Sequence, residues 1–237
     1  TLFTPCSLHA QTTHEVITNI AGNGTTDFEA GNATESGFQT AGAIAFDSKG
    51  NTYFTSFGDG RIYRIVKETG NIEIFKSGID WVQGLAIDSE DFVYYVRHEG
   101  QADFHVRKIN PTDLTETVVL GNGTQGSGTD GAAATSTSFV NIVGLEFDPA
   151  KKNLYFTDFG DKTIRLVNLE TGTLHLVAGI PDLIGGGEDL TEGEIATDVK
   201  IQPKAGLKIK ADGTVFYNSG HLKIKRIAPD GRIYNYA

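Results

Sequence analysis

Short stretches in which apolar and polar residues alternate recur along almost the whole chain, and turn-forming residues separate them. Alternation with a period of two is typical of β-strands with one buried face, whereas a helix repeats its apolar positions every three or four residues. Helical periodicity is not sustained anywhere in the chain. The pattern therefore predicts an all-β protein with almost no helix.

The strands fall into four repeats, at residues 43–70, 84–115, 144–172 and 206–231. Each repeat has a first strand, a turn, a second strand with two adjacent aromatic residues, and then a third and a fourth strand. The aromatic residues form two columns: Tyr53, Tyr94, Tyr155 and Phe216, followed by Phe54, Tyr95, Phe156 and Tyr217. Because neighbouring residues of a strand point to opposite faces, both faces of each sheet must be covered. Stacked four-stranded sheets of this kind are the blades of a β-propeller.

The repeat phrase resembles the NHL repeat. It reads Gly-hydrophobic-x-hydrophobic-Asp, then Gly-Asn-x-hydrophobic-aromatic, then Asp-x-Gly-x-x-x-Ile-Arg, and the nearest copy is LYFTDFGDKTIRLVNLETGTLHLVAG at 154–179. The Gly-rich linkers at 21–38, 121–139 and 178–201 resemble those of secreted and bacterial NHL proteins. The resemblance covers residues 16–237 and implies a β-propeller, a fold that hosts many functions.

The number of strands leaves the closure of the propeller open. NHL propellers usually have six blades, whereas this sequence supplies four blades and one further strand, HEVITNIA, at 14–21. In the family such a strand completes the last blade, yet the last repeat here already has its own fourth strand, GRIYNYA. Three interpretations remain: further blades beyond Ala237, an open or four-bladed ring, or spare edge strands that pair with another chain. We expect the first, because the sequence stops within a strand phrase and contains no Met.

Two domain segments are predicted. Residues 1–13 form an N-terminal segment, which is either the remnant of a signal peptide or an extension, and residues 14–237 form the propeller. The only cysteine, Cys6, excludes an internal disulfide, and no apolar run approaches the ~20 residues of a membrane helix.

Charge and sequons indicate the kind of partner and the compartment. The net charge of −10 argues against nucleic acid as a partner, because nucleic-acid binders need a basic surface to neutralise phosphates. Three Asn-x-Thr sequons begin at Asn23, Asn32 and Asn122 in Gly-rich loops. They predict glycosylation at these residues and an extracellular or cell-surface location.

The long linkers and the turns between second and third strands are expected to share one end of the propeller, where a rigid scaffold would present a binding site. The candidate binding residues at this mouth are Ser56, Asp59, Arg97, His98, Asp158, Asp161, Ser219 and His221. Asp158 also has a structural interpretation, because the Asp of this phrase in NHL repeats commonly ties down its own turn. No catalytic residue and no metal ligand is assigned, and Ca²⁺ is the one cofactor that the oxygen-rich face would suit.

These observations favour a non-catalytic extracellular module that binds a protein partner or further copies of itself. Its spare edge strands would join it to a larger cell-surface or filamentous assembly. Two alternatives stay open. One is a metal-dependent propeller enzyme of lyase or lactone-hydrolase type with its site at the mouth, and the other is an RNA- or protein-binding NHL regulator domain.

Overall fold

The computed structural model describes residues 18–99, 103–181, 192–220 and 222–237. They form a four-bladed β-propeller of antiparallel sheets, in which each blade takes four strands consecutive in sequence. Blade 1 comprises β2 (Ala41–Phe46), β3 (Thr52–Ser56), β4 (Arg61–Ile65) and β5 (Asn71–Lys76), and the two-residue strand β1 (Gly31–Asn32) pairs with β5. Blade 2 comprises β6 (Trp81–Ile87), β7 (Val93–Glu99), β8 (Asp103–Ile109) and β9 (Glu116–Leu120); blade 3 comprises β10 (Ile142–Phe147), β11 (Asn153–Asp158), β12 (Thr163–Asn168) and β13 (Thr173–Ala178). Blade 4 comprises β14 (Pro203–Ile209), β15 (Val215–Ser219), β16 (Lys223–Ile227) and β17 (Ile233–Asn235). The described helical residues are two short 3-10 turns, Ala134–Ser136 and Ala196–Asp198.

Aspartates close the first hairpin of several blades. The Asp47 carboxylate accepts hydrogen bonds from the backbone N–H groups of Lys49 (3.0 Å) and Asn51 (2.8 Å). Asp148 accepts an equivalent bond from the N–H of Lys152 at 2.8 Å. A short acidic side chain that follows a strand can satisfy the donors of the next turn in this way. The Asp after the first strand therefore sets where the first hairpin begins in blades 1 and 3.

The two aromatic columns lie on opposite faces of the sheets, as expected if both faces of a blade are buried. Tyr53 joins the core between blades 1 and 2 from one side, and Tyr95 joins the same core from the other. We call the face that carries Tyr53 and its repeats the forward face, because it packs on the following blade. The face that carries Tyr95 and its repeats is the rear face, which packs on the preceding blade. The prediction of stacked, doubly covered sheets is confirmed for blades 2 and 3, each of which packs between two neighbouring blades.

Each long linker packs on the rear face of the blade that it precedes. One buried alanine marks the same place in all three linkers, and its N–H donates to the glycine carbonyl of the turn before the fourth strand. The pairs are Ala33 with Gly70 (3.0 Å), Ala134 with Gly172 (2.8 Å) and Ala196 with Gly231 (2.9 Å). The repeated Ala-Thr of the linkers thus reflects a repeated fold, because only a small side chain fits against the sheet there.

Glycines at the axis allow the inner strands to approach each other closely. A Cβ atom at Gly144 would lie 2.8 Å from the Thr157 hydroxyl and would also collide with the Ala205 carbonyl oxygen on the neighbouring inner strand. The glycine of the repeat phrase therefore has a packing function at this position. The inner strands β2, β6, β10 and β14 lie side by side in this order around a central cavity.

The surplus strand differs from the one that the sequence predicts. Of the predicted strand at 14–21, residues 18–21 adopt no strand conformation, and residues 14–17 lie outside the described residues. The additional strand is β1, which pairs with the outer edge of blade 1 at the register Gly31 with Ile72. The linker itself supplies this strand, because its bend over blade 1 brings two residues beside the open edge of β5.

Candidate functional site

Residues of the inner strands of all four blades line an open cavity of about 790 Å³. Its wall is mostly apolar, with Val82, Leu85, Val143, Leu145 and Leu207 among the lining side chains. Polar side chains also reach it: Gln83, Asn141, Glu146, Lys204, Lys208 and Asn218. An apolar concave wall with a few polar groups is the usual composition of a site for a small ligand.

Aromatic side chains surround the mouth of this cavity. Phe57 and Phe159 occupy the same position in their repeats, directly after the second strand. Backbone hydrogen bonds fix both turns to the incoming linkers, from Phe57 N to Thr40 O at 2.9 Å and from Phe159 N to Asn141 O at 2.8 Å. A strand and its linker therefore hold each ring at the rim.

Trp81 and Lys204 complete this aromatic rim. The Trp81 ring meets Phe57 edge to face, with 4.2 Å between the ring centroids, and remains 47% exposed. The Lys204 ammonium lies 4.2 Å from the centroid of Phe159, which is 39% exposed. A cation over a ring is held by the negative face of the π-system. The rim thus presents flat apolar surfaces beside a positive charge.

Amide groups line the wall below the rim. The side-chain oxygen of Gln83 is buried, with no hydrogen-bond partner within the described part of the chain. Asn218 uses its side-chain oxygen to accept a bond from Gly206 N at 2.8 Å, and Lys208 pairs with Glu146 at 2.7 Å. Since a buried acceptor without a donor costs free energy, the Gln83 oxygen is a place where a ligand donor would be favoured.

Asp158, a predicted binding residue, is fully buried and acts on the backbone around it. Its two oxygens accept four N–H bonds of 2.9–3.1 Å, from Val140 and Asn141 in the linker and from Gly160 and Asp161 in its own turn. The carboxylate therefore joins the end of a linker to the turn that carries Phe159. This arrangement positions the rim without placing Asp158 on it.

Asp161 belongs to a second buried cluster. Its carboxylate lies 3.4 Å from the guanidinium of Arg165 and accepts a 2.8 Å bond from the Ser127 hydroxyl. Burial raises the pKa of Asp161, the neighbouring Asp158 carboxylate adds to the rise, and Ser127 and Arg165 oppose it. Arg165 was not among the predicted site residues, although it is the Arg of the repeat phrase and the side chain is only 1% exposed.

Asp59 is the counterpart of Asp161 in blade 1. It accepts a hydrogen bond from the Tyr63 hydroxyl at 2.7 Å and pairs with Arg61 at 3.7 Å. Burial, the largest cause, raises the pKa of Tyr63 to about 12. In both blades a carboxylate in the turn is thus held by the side chain four residues later, which is Tyr63 in one blade and Arg165 in the other.

The structure distributes the other predicted site residues among the blades. Ser56 and Ser219 are buried at the ends of β3 and β15, and Arg97 lies opposite His105 in the register of β7 and β8. His98 is brought near Asp158, whereas His221 lies outside the described residues. Among the described residues of this set, His98 and Asp161 each interact electrostatically with Asp158.

His98 links blade 2 to blade 3. Its Nε2 lies 3.2 Å from the carbonyl oxygen of Ile142, the first residue of β10. Burial lowers the pKa of His98 below its ordinary value of 6.5, against the opposite effects of the Ile142 bond and the Asp158 charge. The neutral imidazole is therefore the form that the folded state favours.

A pH dependence follows from this lowered pKa. At a pH between the pKa of His98 in the folded state and its value of 6.5 in the unfolded state, the unfolded chain binds more protons at this residue. The contribution of His98 to stability is therefore present above 6.5 and is lost as the pH falls through the folded-state pKa. We expect the melting temperature to fall on acidification, and His98→Gln, which keeps an N–H donor, to reduce this slope. Melts across the pH range measure it. His175→Gln, at an exposed position of β13, is the control that should leave the slope unchanged.

The sequon asparagines serve the linkers in which they lie. The side-chain oxygen of Asn23 accepts bonds from Thr25, and its amide nitrogen donates to the Glu35 carbonyl. Asn122 does the same with Thr124 and the Ser136 carbonyl. The Asn-x-Thr pattern therefore also has a conformational cause, since Asn and Thr two residues apart close a turn. Glycosylation at Asn23, Asn32 and Asn122 stays a prediction.

Within the described ranges, no group of three or more His, Cys, Asp or Glu side chains is placed to hold a metal ion. Likewise, no helix in this part of the chain has the length and apolarity needed to cross a membrane.

No family model and no curated protein matches the chain in sequence, so membership of the NHL family is not confirmed. Solved structures do resemble it. An auxiliary nutrient binding protein from Bacteroides ovatus ATCC 8483 has a TM-score of 0.62 at 15% identity, over 85% of this chain and 49% of that one. A chain of the nidogen/laminin complex has a TM-score of 0.60 at 16% identity, over 83% and 64%. Virginiamycin B lyase from Staphylococcus aureus has a TM-score of 0.55 at 15% identity, over 86% and 58%.

The chain thus spans between about half and two thirds of the length of these structures. At such identities the likeness concerns the fold and carries no activity with it. The repeats and the stacked blades, together with these structures, show that the chain is a β-propeller.

Proposed function

We propose that this chain is a non-catalytic binding module that holds a small ligand at the aromatic rim of its central cavity. The observation that carries the proposal is the rim itself, where Phe57, Trp81 and Phe159 leave ring surface exposed beside Lys204. Solvent-exposed rings at the mouth of a concave site are better explained by a ligand than by the fold, because none of the three belongs to a buried core cluster.

The carboxylates around the mouth support binding rather than hydrolysis. Asp158 is engaged by four backbone N–H groups, and Asp161 by Ser127 and Arg165. Asp59 is held by Tyr63. Groups that stabilise turns in this way are poorly placed to transfer protons to a ligand in the cavity. The likeness to a lyase rests on the fold alone and names no residue here.

The rim indicates a ligand with a flat apolar face and an anionic group. Aromatic rings stack on flat faces, Lys204 supplies a positive charge, and the amides of Gln83 and Asn141 suit hydroxyl groups. Acidic oligosaccharides that contain uronic acids combine these features. A nutrient binding protein is among the structures with this fold, which agrees with a ligand of this kind.

The compartment and the partners belong to the same proposal. We place the module outside the cell or on its surface, with the three sequons as glycan acceptors and a protein partner beside the small ligand. The likeness to a chain of the nidogen/laminin complex supports a propeller that can also bind proteins. Detection of glycans at Asn23, Asn32 or Asn122 by mass analysis of the native protein would test this location.

The ligand site is testable because Trp81 is the only tryptophan of the chain and lies at the rim. Titration with an oligogalacturonide should change its fluorescence in a saturable way, and a neutral maltooligosaccharide of equal length should bind more weakly. Phe159→Ala and Lys204→Ala should each weaken binding about tenfold, which corresponds to ~1.4 kcal/mol. Lys210→Ala, an exposed lysine of the same blade, is the matched control and should bind like the parent protein. Equal affinities for both sugars and all variants would contradict the proposed site.

A further inference from the structure

Three of the four blades have a linker segment paired with the outer edge of their fourth strand. In blades 3 and 4 the outward N–H and C=O groups of one residue, Leu174 or Ile233, bond with the backbone of the linker at 2.8–3.0 Å. In blade 1 the equivalent residue, Ile72, pairs with β1, which the linker supplies. A linker thus adds a short strand to the outer edge of each of these blades.

The outer edge of blade 2 has no such segment. Residues 77–80 alone join β5 to β6, so this connection has no long linker to lay over the blade. The Asn110 N–H bonds with the Thr115 carbonyl at 3.0 Å. Because bonded and non-bonded pairs alternate in an antiparallel ladder, the next pair, Ile109 and Glu116, does not exchange backbone bonds. The N–H and C=O groups of Glu116 therefore face outward, where β9 pairs with no further strand of the described residues.

The turn before β9 carries an exposed leucine where the other blades have glycine. Leu114 has a φ of 58°, and its side chain is 48% exposed. Its equivalents are Gly70, Gly172 and Gly231, with φ values of 70°, 69° and 79°. Their carbonyl groups accept the N–H of the linker alanine, whereas the Leu114 carbonyl has no donor among the described residues. A leucine is strained in this left-handed region, and an exposed leucine regains little by packing, so contact with another molecule explains it better than the fold does.

The linkers show which kind of segment fits such an edge. Each has an acidic residue four positions before its buried alanine, and the pairs are Glu29 with Ala33, Asp130 with Ala134 and Glu192 with Ala196. The Asp130 carboxylate accepts a bond from Leu176 N at 2.5 Å. In blade 4 the Glu192 carboxylate accepts one from Asn235 N at 3.2 Å. Both donors lie two residues after the residue whose backbone bonds with the linker, so the acidic side chain satisfies the next outward N–H of the strand.

Blade 2 presents a positive charge at the place where such a carboxylate would lie. The N–H equivalent to that of Leu176 belongs to Val118, which is paired with Arg107 across β8 and β9. The Arg107 side chain is 23% exposed, and its Nε is buried with no hydrogen-bond partner within the described part of the chain. Its ion pair with Glu116 is long, at 3.9 Å, and Glu116 also pairs with Lys76. A carboxylate at the Val118 N–H would therefore complete the bonding of a cation that the fold neutralises only in part.

We propose that the outer edge of blade 2 binds an extended segment of a protein partner, with an acidic residue four positions before a small residue. The segment adds to β9 as the linkers add to the other blades, through backbone bonds with Glu116 and Leu114. Its carboxylate lies between the Val118 N–H and Arg107, and the Leu114 side chain packs on the partner. This surface goes beyond the ligand site of the proposed function, because it lies on the outermost strand of a blade whereas the rim belongs to the inner strands.

Amide hydrogen exchange of the parent chain tests whether this edge is open. The N–H groups of Glu116 and Val118 should exchange at least about tenfold faster than those of Leu174 and Ile233, which bond with linkers. Slow exchange of Glu116 at every protein concentration would show that the chain covers its own edge. Slow exchange that appears only at high concentration would assign the edge to a second copy. Either result would overturn the proposal.

A fluorescein-labelled peptide of residues 127–138, which contains Asp130 and Ala134, is the probe for binding. Its fluorescence anisotropy should rise in a saturable way on titration with the parent chain, and the exchange of Glu116 and Val118 should become slower. The same peptide with Asp130→Asn should bind about tenfold more weakly, because it lacks the carboxylate that meets Arg107. Lack of saturable binding, or equal affinities of the two peptides, would contradict the proposed site.

A matched pair of variants tests the cation. Arg107→Gln should weaken binding of the peptide about tenfold. Lys108→Gln removes the same charge from the adjacent residue, on the opposite face of β8, and should bind like the parent chain. Equal weakening by both variants would indicate a general charge effect and refute the role of Arg107. Binding at the rim is read from Trp81 fluorescence rather than from fluorescein, so failure of one proposal leaves the other standing.

Discussion

Replacing Arg165 by Met is expected to lower the free energy of unfolding by about 3–5 kcal/mol. Arg165 and Asp161 are 1% and 0% exposed and lie 3.4 Å apart. A single substitution would leave the Asp161 carboxylate buried beside Asp158 with no cation in this cluster. The penalty of an unpaired buried charge exceeds the net value of the pair itself, and this is why the loss is large. Urea unfolding at neutral pH measures it.

The double variant Asp161→Asn/Arg165→Met should recover much of this loss, because it removes both charges together. The difference in the free energy of unfolding between Arg165→Met and the parent protein should also become smaller as the pH falls. Burial already raises the pKa of Asp161, and without Arg165 it would rise further, so that protonation removes the charge. Lys152→Met breaks an exposed pair with Glu170 and should cost less than about 1 kcal/mol. An equally small cost for Arg165→Met would show that the buried pair does not stabilise blade 3.

Replacing Asp158 by Ala is expected to destabilise the protein by about 3 kcal/mol or more, because four backbone N–H groups lose their acceptor. The linker end at Val140 and Asn141 would no longer be joined to the turn of Phe159. Asp158→Asn keeps one oxygen and should therefore lie between the parent and the alanine variant. Thermal and urea unfolding of the three proteins measure this order.

The same variants separate two interpretations of Asp158. If the carboxylate served mainly to bind a ligand, Asp158→Ala would keep the parent stability and lose affinity at the rim. If it is a turn anchor, stability falls first, and the affinity measured by Trp81 fluorescence changes only as far as Phe159 moves. A parent-like melting temperature of Asp158→Ala would contradict the anchoring role.

Local sequence was sufficient for the strands and their turns. The alternation of apolar residues marks all four strands of each blade, and Asp47 and Asp148 close their hairpins through bonds to residues at most four positions away. Such short-range interactions can be inferred directly from neighbouring residues in the sequence, so a repeat can be recognised without knowledge of the fold. The two aromatic columns further indicated that both faces of the sheets are covered.

The site could be predicted only in part, because its residues meet through packing between blades. Asp158 and Asp161, two of the predicted residues, turn inward to bond with Val140 and Arg165. The side chains that reach the rim are Phe57 and Phe159, which directly follow the predicted residues Ser56 and Asp158. Adjacent residues at the end of a strand point to opposite faces, so a shift of one residue decides which side chain is exposed. The hydrogen bonds that fix the orientation of this turn come from linker residues that are remote in sequence.

The sequence by itself determined the four repeats, the order of strands within each repeat and the pairing of columns, since these follow from periodicity and from turns of neighbouring residues. Only the tertiary structure decided which equivalent residues are covered. Ile44 and Leu85 occupy the same place in their repeats, yet one is exposed and the other is buried. Burial depends on whether a neighbouring sheet lies over the residue, and that neighbour is specified by the arrangement of blades in space rather than by the repeat in which the residue stands.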